Sequence, residues 1–145
     1  MTVCVDASLV MKFLTYEPDA DVANAWLQVH KDKEMMAPWF LPAEVASVLR
    51  RKMLRGEITD QEGQEALLLL DSLDFTLASD FALVRRAFDL AVELDQPSVY
   101  DTLYLAVAER ERCDLWTADA RFAQAACSRY SSVRLIGSLQ SLTTD

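Results

Sequence analysis

The sequence predicts an α/β protein: a three-layer α/β/α domain built on a central parallel sheet of about five strands. Three observations carry this. Short apolar runs recur between longer stretches with helical spacing, the pattern of strands joined by helices. The first two runs, Val3–Val5 and Met35–Ala37, are apolar throughout, as strands covered on both faces are. Only 3 Gly and 4 Pro occur in 145 residues, which leaves too little turn chemistry for an all-β fold. The length fits one domain over residues 1–145, since domains run to about 150 residues, and a chain of this size buries a core without a disulfide or metal staple.

Val3 to Val5 reads as a buried first strand that ends at Asp6. Asp6-Ala7-Ser8 opens a helix to about Leu14, broken by Thr15-Tyr16-Glu17-Pro18. Asp19 to His30 is a helix with Val22, Ala23, Trp26, Leu27 and Val29 mostly on one side. Met35-Met36-Ala37, closed by Pro38, is the second strand. Pro42 and Glu44 suit the first turn of a helix that ends at Gly56. Thr59 and Glu62 form a capping box for the next helix, which extends to about Asp71. Phe75 to Ala78 is a weaker third strand, and Ser79 or Asp80 caps a long helix to about Glu93. A helix is expected from Ser98, a strand at Leu115-Trp116-Thr117 and a helix from Asp119 to about Cys127. A last strand, Val133 to Ile136, precedes a Ser/Thr-rich tail. Helices outnumber strands, so several connections hold two.

Composition narrows function by exclusion. A net charge of −9 argues against unaided electrostatic binding of nucleic acid or an anionic membrane. Carboxylates that hold divalent cations would reverse that local field. Cys4, Cys113 and Cys127 are odd in number and show no C-x-x-C spacing, so neither a disulfide framework nor a thiolate zinc site is suggested. Cys4 and Cys127 read as small buried hydrophobes. The lone histidine, His30, lies in a polar stretch and reads as a solvated helix end, which leaves no histidine for a Ser-His-Asp triad or a zinc site. No signal peptide and no apolar run of about 18 residues is visible, so a cytoplasmic location is expected.

The chemistry gathers at four acids. Asp6 follows the first strand, Asp119 the fourth, Glu44 lies in the first turn after the second, and Asp101 in the first turn of the helix leading into the fourth. In an open parallel sheet all strand-to-helix junctions fall on the carboxyl edge, where ligands bind at the switch in strand order. Each acid alone is explained by helix capping or by the helix dipole, and Ser98-x-x-Asp101 is nearly a capping box. Together they would repel by up to about a few kcal/mol per close pair, a cost that a hard divalent ion removes. Such ions activate water and neutralise a phosphodiester. Ser8 could hold Asp6, and Thr117 could orient Asp119 or a bound water. A phospho-receiver domain also places acids at strand ends. It needs a second acid beside Asp6 and a late lysine, and no lysine follows Lys52.

At these residues the sequence resembles the PIN-domain family, and within it the VapC toxins of bacterial toxin–antitoxin pairs. The matching pieces are Val5-Asp6-Ala7-Ser8, Pro42-Ala43-Glu44-Val45, the run Val99-Tyr100-Asp101-Thr102-Leu103-Tyr104 continuing to Glu109, and Trp116-Thr117-Ala118-Asp119-Ala120-Arg121-Phe122. The resemblance implies a Mg²⁺- or Mn²⁺-dependent endoribonuclease with Asp6, Glu44, Asp101 and Asp119 as its metal-binding and catalytic acids and Thr117 as the hydroxyl beside the last of them. It also implies an RNA substrate, a cognate antitoxin with a basic segment over the active site, and a homodimer. A PIN nuclease of RNA processing without a toxin role shares the same motifs.

Basic residues near the acids are few, Lys12 and Arg121 being the nearest in sequence. Arg50, Arg51, Lys52 and Arg55 crowd a helix end, and Arg85-Arg86 form a second pair. Either group is a dipole-matched solvated cluster or a phosphate or antitoxin contact. Trp39-Phe40-Leu41 is an apolar loop that plugs the core or forms an interface. Leu67 to Leu70 cannot all face one core.

Overall fold

The computed structural model describes residues 1–137, so the Ser/Thr-rich tail lies outside the described residues. Strands β1 (Thr2–Val5), β2 (Glu34–Pro38), β3 (Phe75–Ala78), β4 (Leu115–Thr117) and β5 (Val133–Leu135) form one sheet in the order β3-β2-β1-β4-β5. Every neighbouring pair is parallel. Helices α1 (Ala7–Leu14) and α2 (Ala20–Val29) join β1 to β2, and α3 (Leu41–Leu54) and α4 (Asp60–Ser72) join β2 to β3. Helices α5 (Phe81–Glu93) and α6 (Tyr100–Glu111) lead to β4, and α7 (Ala120–Ala126) leads to β5.

The strand order explains the layers. From β1 through β2 to β3 the chain steps one way across the sheet, and from β3 to β4 and on to β5 it steps the other way. Right-handed crossovers therefore put α1 to α4 on one face and α5 to α7 on the opposite face. The direction reverses between β1 and β4. Cys4 pairs with Leu115 and Val5 with Trp116, so both strands end side by side, and the Asp6 amide donates to the Trp116 carbonyl at 3.2 Å. The carboxyl ends of β1 and β4 thus frame the crevice at the switch point.

Sequence and packing agree closely at several element ends. Thr59 and Glu62 make the reciprocal capping box, and Asp80 caps α5 by accepting from Leu83 N at 3.1 Å. Of the leucine run, Leu70 is buried while Leu67, Leu68 and Leu69 face solvent. In the apolar loop Leu41 is fully buried and Phe40 packs on the core, whereas Trp39 remains 45% exposed.

Three expectations are corrected. His30 is not a solvated helix end: it is 6% exposed, its ring stacks on Trp26 at 4.1 Å between centroids, and its Nδ1 lies 2.8 Å from the Trp26 carbonyl. The i,i+4 spacing puts His30 on the apolar face with Trp26, and this outweighs its polar neighbours in sequence. Cys127 is exposed, because α7 stops at Ala126 and the cysteine falls beyond its buried side. Helix α6 starts at Tyr100 with Val99 as its N-cap and no side-chain cap, so Ser98 starts no helix and forms no capping box. Thr102 stabilises that turn instead, donating to the carbonyls of Ala87 at 2.8 Å and Val99 at 3.2 Å.

Candidate active site

Asp6 leaves β1 in extended backbone conformation and caps α1, its Oδ1 accepting from Leu9 N at 3.1 Å. Ser8 Oγ donates to the same oxygen at 2.6 Å, and the Thr117 hydroxyl donates to the other. Each hydroxyl then accepts from the turn after β4: Ser8 Oγ from Ala118 N at 2.9 Å, and Thr117 Oγ1 from Asp119 N at 3.0 Å. Two small hydroxyls therefore bind the end of β1 to the end of β4 and hold the Asp6 carboxylate between them. Asp119 is fixed by its own capping role, its Oδ1 accepting from Arg121 N at 3.0 Å and Phe122 N at 3.1 Å.

Glu44 sits in the first turn of α3, where its Oε2 accepts from the Tyr104 hydroxyl at 2.8 Å. Tyr104 is 1% exposed, and Phe40 packs edge-on against its ring at 5.5 Å, so the hydroxyl is held in place. Sequence reading assigned Tyr104 no role of its own. The available signal was spacing: Tyr104 follows Asp101 by three residues and so shares its face of α6. Asp101 is different again. Half-buried in the first turn of α6, its carboxylate meets no hydrogen-bond donor among the described residues.

The electrostatics link these groups through Asp101. Burial pushes Asp6 up from 3.8 to about 6 against the opposing hydrogen bonds of Ser8, Thr117 and Leu9, and the charge of Asp101 adds to the rise. Glu44 is raised by burial, lowered by its bond to Tyr104, and raised again by Asp101. Asp101 is raised by burial and by the charge of Asp119. Among the described residues no basic side chain forms an ion pair with any of the four. Only the more distant charge of Arg51 acts on Glu44.

A hard divalent cation fits this donor set in a definite way. Among the described residues, no three Asp, Glu, His or Cys side chains form a ready-made ligand group. The acids are thus electrostatic neighbours and not a closed cage. Mg²⁺ suits such a site, because it keeps several waters and takes only one or two carboxylates directly. Asp101, with no donor of its own, and the second oxygen of Glu44 are the least committed ligands. Asp6 has spent most of its lone pairs on Ser8, Thr117 and Leu9.

Comparison with known proteins agrees with this geometry. The PIN domain family model matches residues 3–127. The chain is 31% identical over 128 residues to VapC ribonuclease Mb0985 of Mycobacterium bovis and to ribonuclease VapC9 of Mycobacterium tuberculosis, covering 86% of this chain and 94% of each relative. It is 32% identical over 96 residues to ribonuclease VapC1 of Mycobacterium tuberculosis, covering 66% of this chain and 70% of that protein. The crystal structure of PAE2754 from Pyrobaculum aerophilum superposes with a TM-score of 0.71 at 19% identity over 100% of this chain and 98% of that one, a likeness of fold. With strand order, acid placement and a family match running from β1 to the end of α7, this chain belongs to the PIN domain family.

Proposed function

We propose that this protein is a Mg²⁺- or Mn²⁺-dependent endoribonuclease acting as the toxin of a VapBC-like pair in the cytoplasm. The observation that carries the reading is the set of carboxylates at the β1/β4 switch point, which oppose one another's ionisation while no basic side chain among the described residues forms an ion pair with them. A folded protein gains nothing from such a set alone, since like charges at close range cost stability. A bound divalent ion supplies charge that neutralises a phosphodiester and makes a water a better nucleophile. Asp101 and Glu44 would hold it, with Asp119 and Asp6 contributing directly or through water. Tyr104 keeps one oxygen of Glu44 occupied and leaves the other to hold a water. Thr117 fixes Asp6 and the Asp119 backbone together, so the two ends of the crevice keep their spacing.

The relatives named as VapC ribonucleases favour RNA as the substrate and an antitoxin as the partner. The acidic surplus of the chain favours a basic antitoxin segment electrostatically. Apolar residues left in solvent on α5, Phe81, Phe88 and Val92, favour pairing with a second copy. No helix among the described residues is long and apolar enough to cross a membrane. The decisive test is cleavage of total cellular RNA with and without Mg²⁺ and Mn²⁺, with new ends mapped and Asp6→Asn as control. Metal-dependent cleavage at discrete sites, lost in the variant, is expected. Equal cleavage by the variant in metal-saturated buffer would overturn the reading.

A further inference from the structure

We infer that the cavity between the α5–α6 connection and the start of α7 receives the nucleotide beside the cut phosphodiester, with Arg121 as its phosphate contact. The inference rests on the ribonuclease reading and gives it a specific substrate-holding residue. The cavity has a volume of about 490 Å³, in the range of small-molecule sites. Asp101, Asp119 and Asp95 lie on its wall together with Arg121, and Gln96 and Ser98 add polar groups. One space therefore opens onto two of the four site acids and onto a cation.

The two basic residues nearest the acids in sequence prove unlike. Lys12 is bound to Glu17 at 3.3 Å and Asp19 at 3.4 Å, so its charge is spent away from the crevice. Arg121 forms no ion pair among the described residues, although Asp119 stands two residues before it. The Asp119 carboxylate accepts the backbone amides of Arg121 and Phe122 instead, which leaves the guanidinium uncommitted. An uncommitted guanidinium on the wall of an acidic crevice suits an anion that bridges to a metal-holding site, and an RNA phosphate is such an anion. The part of the lining from the α5–α6 connection is held by its own hydrogen bonds. Gln96 N donates to the Ala91 carbonyl at 2.8 Å and Gln96 Nε2 to the Leu94 carbonyl at 3.1 Å, which leaves the Gln96 side-chain oxygen free to accept from a ribose hydroxyl.

The test compares Arg121→Ala, Arg121→Lys and Arg85→Ala on a single-stranded RNA that the wild type cleaves. Arg85 serves as the charge-matched control, because its guanidinium lies 5.8 Å over the Phe81 ring and outside the cavity. Arg121→Ala is expected to raise KM about tenfold with kcat changed less than about twofold. In an Asp6→Asn background, the slope of log K against log salt should fall by about 0.7, one phosphate contact to a single strand. Arg121→Lys should recover most of the affinity, and Arg85→Ala should match the wild type. Arg121 is exposed, so its two variants should melt with their parent protein. If KM and salt slope are the same for Arg121→Ala and Arg85→Ala while the wild type cleaves RNA, the inference is overturned and the ribonuclease reading stands. If the wild type neither binds nor cleaves RNA with any divalent ion, both fall.

Discussion

Two acidic regions of this molecule handle charge in opposite ways. Beside the turn after α1, Glu17 lies 3.3 Å from both Lys12 and Lys52, and Lys52 also reaches Glu57 at 3.2 Å. The two ammonium groups outweigh partial burial and hold Glu17 below the usual carboxylate range. At the β1/β4 switch point, Asp6, Glu44 and Asp101 are raised, and none has an ion-pair partner among the described residues. The same chain thus builds a charge-compensated network in one place and withholds compensation in another. Compensation by lysine makes a structural site. On the function proposed above, an acid cluster left short of positive charge would be arranged for a cation from outside.

Removing an acid should break this contrast most strongly. Asp101→Asn is expected to lower RNA cleavage by on the order of 10²–10³-fold, because it takes away the charge that touches every other acid. Initial rates on a defined RNA check this, with circular dichroism confirming the fold. Tyr104→Phe removes the hydroxyl that holds Glu44, and should weaken Mn²⁺ binding by about tenfold, as losses of supporting contacts around metal ligands do. A Mn²⁺ titration of each protein reads the change, and an unaltered midpoint would show that Tyr104 only packs.

Stability should respond in opposite directions in the two regions. A carboxyl moved from 3.8 to about 6 holds a proton in the folded state that the unfolded chain has lost. Without metal, this site's contribution should therefore fall as pH rises from about 4 to about 6, and then cost up to about 3 kcal/mol at neutral pH. Asp6→Asn is expected to raise the Tm at pH 7 by a few degrees, about 2–4 °C per kcal/mol recovered. Adding Mg²⁺ should raise the wild-type Tm and narrow the gap. Glu17 shows the reverse sign: its lowered pKa contributes stability above the ordinary carboxylate range, lost as pH falls through the folded value. Glu17→Gln should destabilise by only about 1 kcal/mol, given the solvent around its ion pairs, and a thermal melt at pH 7 measures it.

The strand ends and several helix starts were legible in the sequence, whereas the charge compensation at Glu17 was not. Asp6 and Asp119 mark strand ends because a short apolar run stops at each of them, and parallel topology sends both to one edge. Thr59, Glu62 and Asp80 announce their helix starts by local chemistry that needs no tertiary information. What stayed hidden depended on neighbours distant in the chain. His30 is polar in local sequence, yet Trp26 and Trp116 enclose it. Val99, not Ser98, is the α6 cap, and Thr102 in that turn donates to the Ala87 carbonyl on α5. Glu44 and Tyr104 are 60 positions apart and meet only when α3 and α6 converge at the sheet edge. The contrast between Lys12 and Arg121 was equally invisible, since it depends on which acids each cation meets in the fold.

Whether the crevice between β1 and β4 takes up a divalent ion is measured directly by calorimetric titration of Mn²⁺ into metal-free protein at pH 7. Saturable binding to the wild type that disappears in Asp101→Asn and survives in Glu17→Gln is the predicted result. Equal heats for wild type and Asp101→Asn, or none in either, would contradict it.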